Sequence, residues 1–182
     1  MSMKNSNFFS RDCMVQALIQ LLKTKSLSNI TITELTERAG VSRMTYYRNY
    51  HSLDEIFSSY LKDLVESYRQ DVAAWPDKGN YNDSRNMLHC YEYFYHYKEF
   101  IACLVQTGLG HLLLQALDSY ILDTYYTEEK GRDFYYTLRA FSGSLYNIYV
   151  TWILEDSKES AEEIVSIICK IYSQDPLTGS PK

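Results

Sequence analysis

The stretch that decides the fold is Thr31–Tyr50, which reads TITELTERAGVSRMTYYRNY. Its first four residues match a capping box: the Thr31 hydroxyl can accept a hydrogen bond from the backbone N–H of Glu34, and the Glu34 carboxylate can reach back. A short helix is therefore expected over Ile32–Ala39. Gly40 should end this helix, because glycine adopts the left-handed conformation of a helix C-cap at little cost.

A second short helix is predicted directly after the glycine. Ser42 can cap a helix over Arg43–Asn49, and two helices joined by a Gly-containing turn make a helix-turn-helix. Tyr46 and Tyr50 share one face of the second helix and should pack inward. The opposite face is predicted to point outward and carries Arg43, Met44, Tyr47 and Arg48.

The outward face has the chemistry that double-stranded DNA requires. A helix fits the major groove, where arginine can bind guanine O6 and N7, and hydroxyl groups and arginines can bind phosphate oxygens. The helix N-terminus adds a partial positive charge. Residues 39–50 contain two arginines and no acid, so nothing in the segment repels a polyanion. The alternative interpretation is a surface turn with ordinary solvated arginines.

The charge of the chain is unevenly distributed along its length. Residues 1–50 carry seven Lys or Arg and three Asp or Glu, a formal charge of +4, whereas residues 51–182 carry eleven and twenty, a formal charge of −9. A basic head on an acidic body indicates that one end binds a polyanion. Chance asymmetry is the alternative.

The whole chain is predicted to be all-α, with an N-terminal three-helix domain containing the helix-turn-helix and a larger helical C-terminal domain. Only 3 of the 182 residues are proline and 7 are glycine, and no segment alternates apolar and polar residues as a strand does. Besides the two short helices, the apolar spacing predicts helices over residues 8–24, 53–74, 84–98, 99–106, 111–126, 133–155 and 158–173.

Several classes of protein and site are not indicated. The first residues lack the apolar core of a secretory signal, and no apolar run approaches the length of a membrane span, so we expect a cytoplasmic protein with no membrane partner. The four cysteines lie far apart and indicate reduced thiols, with a redox sensor as the remaining alternative. We find no motif of an enzyme, a metal site or a cofactor site, and therefore expect none of these.

A longer stretch, Thr31–Phe57, resembles the N-terminal domain of TetR/AcrR-family transcriptional regulators. It reads TITELTERAGVSRMTYYRNYHSLDEIF and covers, with the preceding helix, about a quarter of the chain. The segment from Phe141 to Trp152 more weakly resembles the C-terminal half of Firmicutes members. The residues that fit the family pattern are Thr31, Leu35, Ala39, Gly40, Val41, Ser42, Thr45, Tyr47, Tyr50, Glu55 and Ile56.

Two residues depart from the family pattern. Leu53 stands where the family usually has a lysine that binds the phosphate backbone, so that anchor is lost or is replaced by Arg48 and His51. Met44 stands where a small residue is common, and its side chain could contact a thymine methyl group or weaken docking.

The resemblance implies a set of DNA-facing residues. We expect Arg43 and Met44 to read base edges, and four others to contact phosphates. The complete predicted DNA-binding set is Thr33, Ser42, Arg43, Met44, Thr45, Tyr47, Arg48 and Asn49, with Thr33, Tyr47, Arg48 and Asn49 as the phosphate contacts.

The resemblance also implies a homodimer held by the last two long helices and a ligand cavity in the C-terminal domain. Domain boundaries are expected at 1–52 for DNA binding, 53–175 for regulation and dimerisation, and 176–182 for a tail. The predicted dimerisation residues are Leu138, Phe141, Leu145, Tyr149, Trp152, Ile164, Ile168 and Ile171, with a purely internal core as the alternative. The predicted contacts for a small hydrophobic or aromatic ligand are Tyr91, Phe94, Tyr95, Phe100, Leu104, His111, Leu114, Tyr120 and Tyr146, with an aromatic core as the alternative.

The sequence thus predicts a dimeric, sequence-specific DNA-binding regulator of transcription, expected to act as a repressor that a small molecule releases from its operator. The alternative is a TetR-like coactivator that binds protein and has lost operator binding.

Overall fold

The computed structural model describes residues 3–77 and 79–173, with side chains described from residue 10 to residue 172. The predicted tail at 176–182 lies outside the described residues. Within those residues every regular element is helical, which confirms the all-α prediction. The helices are α1 (Met3–Leu22), α2 (Ile32–Ala39), α3 (Arg43–Asn49), α4 (Leu53–Ala73), α5 (Ser84–Tyr95), α6 (Lys98–Gln106), α7 (Gly110–Tyr125), α8 (Gly131–Leu154) and α9 (Ala161–Ser173).

Two compact units divide the chain. The first comprises Met1–Arg69 and Glu99–Leu113, and the second comprises Gln70–Lys98 and Leu114–Lys182. These units do not coincide with the predicted boundary after residue 52, because the first unit also takes in most of α4 and α6.

Aromatic packing explains why α4 and α6 belong to the first unit. The Phe100 ring of α6 lies 5.8 Å from the Phe57 ring and 4.9 Å from the Tyr60 ring of α4, measured between centroids. Phe57 and Phe100 are buried, and Met14 and Leu18 of α1 are fully buried in the same unit. Burial of such side chains stabilises the unit by about 1.5–3 kcal/mol each relative to full exposure.

The second unit is built around an aromatic core on α5 and α8. The Tyr91 hydroxyl donates a hydrogen bond of 3.1 Å to the Leu145 carbonyl oxygen. The Tyr91 ring also lies 5.1 Å from the ring of Tyr149 and 5.9 Å from that of Trp152. Because the hydroxyl is buried, satisfying it with a carbonyl avoids the desolvation cost of an unpaired donor.

Helix ends differ from the predictions where the sequence has no glycine or proline to mark them. The helix predicted over 84–98 ends at Tyr95, and α6 begins at Lys98. α9 begins at Ala161, three residues later than predicted, after Asp156 and Ser157 adopt positive φ angles of 64° and 49°. No single helix in the described part of the chain is long and apolar enough to cross a membrane.

Candidate nucleic-acid interface

α2 begins at the predicted capping box. The Thr31 hydroxyl accepts a hydrogen bond of 3.2 Å from the Glu34 backbone N–H, as expected. The Glu34 carboxylate pairs with the Lys25 ammonium at 2.6 Å, and a hydrogen bond with the Thr31 backbone also favours its ionised form. The hydrogen bond from Lys25 lowers the pKa of Glu34, since an adjacent cation favours the ionised carboxylate.

The turn between α2 and α3 depends on Gly40. Its φ is +65°, in the left-handed region that favours glycine. Its N–H donates to the Glu37 carbonyl oxygen at 3.2 Å, and the Val41 N–H donates to the Thr36 carbonyl oxygen at 3.0 Å. These bonds satisfy the last carbonyl groups of α2 and fix the direction in which the chain enters α3.

α3 is capped by hydroxyl groups alone. The Ser42 hydroxyl accepts a hydrogen bond of 3.1 Å from the Thr45 backbone N–H and lies 2.9 Å from the Thr45 hydroxyl. Ser42 is exposed and Thr45 is half-buried. The N-terminus of α3 therefore carries no carboxylate that would repel an anion.

The outward face of α3 is exposed as predicted. Met44 and Tyr47 are large hydrophobic residues that stay 74% and 59% exposed, and the two arginines are exposed as well. Within the part of the chain that the structure describes, Arg43 and Arg48 have neither a hydrogen bond nor an ion pair. Both guanidinium groups are thus available to an external acceptor.

The inward face anchors α3 to the first unit. Tyr46 and Tyr50 are buried, with ring centroids 5.9 Å apart, and Leu35 and Ile56 are fully buried. Burial raises the pKa of both tyrosines. Two aromatic side chains thus hold the short helix while its other face stays free.

The remaining predicted DNA contacts differ in availability. Thr33 is exposed on α2. Asn49 is half-buried, and its side-chain amide donates to the Thr45 carbonyl oxygen at 2.6 Å. One of its two amide N–H groups is therefore already used inside α3, which makes Asn49 a weaker candidate for a phosphate contact.

Leu53 has a structural role that the sequence did not indicate. It is half-buried and lines a cleft of about 1040 Å³ in the first unit. The cleft lies between the end of α1, the link to α2, the start of α4, and α6. Its lining residues are Ile19, Leu22, Lys23, Lys25, Ser26, Leu27, Ser28, Ile30, Ser52, Leu53, Asp54, Glu99, Ala102, Cys103, Gln106 and Thr107.

The predicted ligand residues are divided between the two units. Phe100, Leu104 and His111 belong to the first unit, and the other six belong to the second. Phe100 and Leu104 are buried in the core, while His111 is exposed, with Nδ1 3.3 Å from the Gly108 carbonyl oxygen. In the second unit Tyr91 and Phe94 are buried, and Tyr95, Leu114, Tyr120 and Tyr146 are half-buried.

Two pockets among the described residues, one in each unit, do not involve the predicted ligand residues. The cleft in the first unit contains none of the nine, and neither does a pocket of about 370 Å³ between α5 and α9. The second unit does contain an unsatisfied buried group: the Tyr149 hydroxyl has no hydrogen-bond partner among the described residues. Buried hydroxyl groups usually have a partner, so this one indicates a place where water or a ligand atom can bind.

The structure corrects the choice of dimerisation residues. Seven of the eight are buried within the single chain and offer almost no surface to a second copy: Leu138, Phe141, Leu145, Tyr149, Trp152, Ile164 and Ile168. Only Ile171 is exposed, at 56%. The other large hydrophobic side chains that remain exposed on α8 and α9 are Tyr136, at 58%, Leu154, at 44%, and Ile167, at 48%. The apolar periodicity of α8 and α9 identified side chains that face the core of the chain, and it did not identify the apolar side chains that stay exposed.

Sequence reasoning missed two polar clusters. Arg11 of α1 contacts Tyr50, Ser59 and Asp63, and Asp118 of α7 pairs with Arg139 at 2.8 Å. A charged residue within an amphipathic helix gives no signal of its partner, since the partner is more than 20 residues away in the sequence.

Similarity to known proteins supports the same fold. No protein-family model matches the chain. An uncharacterised HTH-type transcriptional regulator, YxbF of Bacillus subtilis (strain 168), is 26% identical over 167 residues, which is 87% of this chain and 43% of the relative. The chain thus spans less than half the length of that relative.

Solved structures of transcriptional regulators share the fold over most of their length. The fatty acid degradation regulator FadR from Bacillus halodurans has a TM-score of 0.62 and 14% identity over 92% of this chain and 96% of its own. A TetR transcriptional regulator from Rhodococcus sp. RHA1 has a TM-score of 0.56 and 15% identity over 94% and 98%. The dihydroxyacetone kinase operon activator DhaS has a TM-score of 0.57 and 17% identity over 89% and 93%. The chain therefore has the all-helical fold of TetR-type transcriptional regulators, which confirms the resemblance of Thr31–Phe57.

Proposed function

We propose that this protein is a dimeric, sequence-specific DNA-binding regulator of transcription in which α3 reads the major groove. The observation that carries the proposal is the exposed, acid-free face of α3, with the Arg43 and Arg48 guanidinium groups free of partners among the described residues. Two donors of arginine match guanine O6 and N7, and a second arginine suits a phosphate. The similarity to HTH-type and TetR-type regulators supports the same assignment.

Two copies of α3 are needed for useful affinity, since seven residues span only a few base pairs. A two-fold dimer places two reading helices on half-sites about one DNA turn apart. The exposed Ile167 and Ile171 of α9, with Leu154 at the end of α8, supply apolar surface for such an interface. A dimer bound across a promoter excludes polymerase, so we propose repression as the direction of control.

The direct test is selection of bound DNA from a random duplex pool. We expect enrichment of a palindrome whose half-sites lie about 10 base pairs apart, centre to centre. Enrichment of a single half-site would reject the dimeric mode, and no enrichment at any salt concentration would reject sequence-specific binding.

We further propose that a small hydrophobic or aromatic molecule bound in the second unit releases the DNA. The unsatisfied Tyr149 hydroxyl within an aromatic cluster supports this proposal, because such a group can orient a ligand. Native mass spectrometry of the purified protein should reveal a bound small molecule that organic extraction removes.

Tyr149 and Tyr91 belong to the same aromatic cluster, and only the Tyr91 hydroxyl has a hydrogen-bond partner among the described residues. Comparing phenylalanine variants of the two tests the role of the Tyr149 hydroxyl without a ligand. Tyr149→Phe should leave the free energy of unfolding of extracted protein unchanged or raise it by about 1 kcal/mol, because it removes an unpaired buried hydroxyl. Tyr91→Phe should lower it by about 1 kcal/mol, because it removes the buried hydrogen bond to the Leu145 carbonyl oxygen. Equal losses for both variants would show that the Tyr149 hydroxyl is satisfied within the protein.

A second candidate function is a TetR-like coactivator that binds protein through α3. Met44, 74% exposed on the reading face, favours it, since an exposed methionine suits a protein partner. Salt dependence separates the two functions. Affinity for DNA should fall steeply with salt concentration if α3 and its surroundings neutralise phosphates, and a flat dependence would favour the coactivator.

A further inference from the structure

Arg11 connects three helices of the first unit through one side chain. Its Nε donates to the Tyr50 hydroxyl at 3.3 Å, and its Nη1 lies 2.9 Å from the Asp63 carboxylate. Its Nη2 donates to the Ser59 hydroxyl. Arg11 lies on α1, Ser59 and Asp63 lie one turn apart on α4, and Tyr50 immediately follows α3.

The geometry of this cluster requires arginine. A guanidinium group has five N–H donors in a planar fork, whereas the lysine ammonium is a compact charge that cannot reach three separated acceptors at once. The side chains of Arg11 and Asp63 are 27% and 34% exposed, so the pair is partly shielded from water and its contacts are stronger than those of a fully solvated pair. A neighbouring hydrogen bond, from the Tyr60 hydroxyl to the Asp12 carboxylate at 3.2 Å, also joins α1 to α4.

Tyr50 is the point at which α3 is fixed at its C-terminal end. Its backbone N–H donates to the Tyr46 carbonyl oxygen at 2.9 Å, and its side chain is 2% exposed. A helix of seven residues has few internal hydrogen bonds, so its direction depends on what holds its ends. The Gly40 turn holds the N-terminal end of α3, and Tyr50 together with Arg11 holds its C-terminal end.

We propose that Arg11 is a positioning residue for DNA reading: it contacts no DNA itself, and it sets the direction of α3 against α4 through Tyr50. The inference rests on the proposed DNA-binding function. It goes beyond that function by assigning part of the sequence specificity to a residue of α1, outside the helix-turn-helix. A small rotation of α3 would misalign Arg43 with its base while leaving the positive charge of the unit in place.

The first experiment compares Arg11→Lys and Arg11→Met with the wild type on selected and scrambled duplexes. Both variants should bind the selected duplex about tenfold more weakly, as expected for loss of hydrogen bonds to a charged group. Binding to the scrambled duplex should stay within about twofold for Arg11→Lys. A partly unfolded variant would lose affinity for both duplexes equally, and that result would overturn the proposal.

Salt titration separates positioning from direct phosphate contact. The slope of log affinity against log salt concentration should be unchanged in Arg11→Lys, because the charge is kept and no phosphate contact is lost. A slope reduced by about one in Arg11→Met but not in Lys23→Met would mean that Arg11 itself binds phosphate, which would overturn the proposal. Lys23 is the matched control, an exposed cation just after α1.

Hydrogen exchange tests the inference without DNA. In Arg11→Lys the Tyr50 amide should exchange about tenfold faster, since the C-terminal end of α3 is less well held, while the Leu35 amide of α2 should keep its rate. Unchanged exchange at Tyr50, or equal acceleration at both amides, would overturn the proposal. A wild type that does not discriminate between the duplexes would reject the proposed function, and the exchange result would still decide the role of Arg11.

Discussion

α3 and α9 are both capped by a serine hydroxyl, but the chemistry of their N-terminal ends differs. Each helix directly follows its capping serine, Ser42 or Ser160, and buries one face. At α9 the Ser160 hydroxyl accepts from the Glu163 N–H at 3.2 Å, and the Glu163 carboxylate accepts from the Ser160 N–H at 2.8 Å, a complete capping box. At α3 the corresponding position after Ser42 holds Thr45, which has no charge.

The same contrast holds for the other capped helices of the first unit. α2 has Glu34 three residues after its cap, and α4 has Glu55, whose carboxylate accepts from the His51 N–H at 2.6 Å. Among these four helices α3 is the one without a carboxylate in its first turn. A carboxylate there would stabilise the helix, and its absence leaves no negative charge to repel an anion at the α3 N-terminus. α9 exposes Ile167 and Ile171, which we propose as dimer contacts.

The strongest test of this difference between α3 and α9 is to introduce into α3 the Ser–Glu capping box found at α9. Thr45→Glu creates the capping box with Ser42 and should lower operator affinity by about 100-fold, because about 3 kcal/mol of repulsion is added next to phosphates. The melting temperature should stay the same or rise slightly. Thr45→Gln is the control, since it supplies the same cap without the charge. Equal affinity of the two variants would show that the acid-free N-terminus is irrelevant to DNA binding.

A second prediction concerns the outward face itself. Arg43→Ala should cost about 2 kcal/mol, or about thirtyfold in operator affinity, and should relax the preference at one base pair, because a bidentate contact to guanine is lost. Arg38→Ala, which removes an exposed arginine from the end of α2, should retain the base preference. A binding-site selection with each variant provides the measurement. Retained selectivity in Arg43→Ala would remove the residue from base reading.

The third prediction addresses the face of α9. Ile171→Glu should raise the dissociation constant of the dimer about tenfold or more, because it removes apolar contact area and buries a charge. Sedimentation velocity across a concentration series measures the change. Tyr136→Glu, at an exposed aromatic position near the start of α8, should leave the association unchanged. A dimer unaffected by Ile171→Glu would place the interface elsewhere.

The smallest effect is expected at Tyr47. Tyr47→Phe should weaken binding by about threefold on every duplex tested, because a neutral hydrogen bond to phosphate contributes about 0.5–1 kcal/mol. The salt slope should not change, since no charge is lost. A fluorescence anisotropy titration on selected and scrambled duplexes would detect a sequence-dependent loss, which would assign the hydroxyl to a base instead.

The bounds of α2 and α3 agree with the prediction to the residue, because their ends are set by local chemistry. Thr31, Gly40 and Ser42 each fix a helix end through contacts with the next few residues. Periodicity also placed Tyr46 and Tyr50 on the buried face.

The sequence could not distinguish positions that depend on distant partners. Ile164 and Ile168 lie on α9 beside Ile167 and Ile171, and all four look alike in a helical pattern, although only the first two are covered by the chain itself. The ligand residues were likewise selected as aromatic side chains without knowledge of their neighbours. Arg11 gave no local signal, because its partners are 39 to 52 residues away.

The residues that hold α3 in place are the Gly40 turn and the buried Tyr46 and Tyr50. They are different residues from those that α3 exposes to solvent. Tyr46 and Tyr50 face the core, and the outward Arg43, Met44 and Arg48 form no side-chain hydrogen bond or ion pair with the described residues, whereas the Tyr47 ring lies 5.4 Å from the Tyr46 ring. The outward positions can therefore be exchanged as a set, by grafting those of another regulator onto the same backbone. This makes the protein a scaffold for engineered operator specificity, with the fold and the assembly surface left untouched.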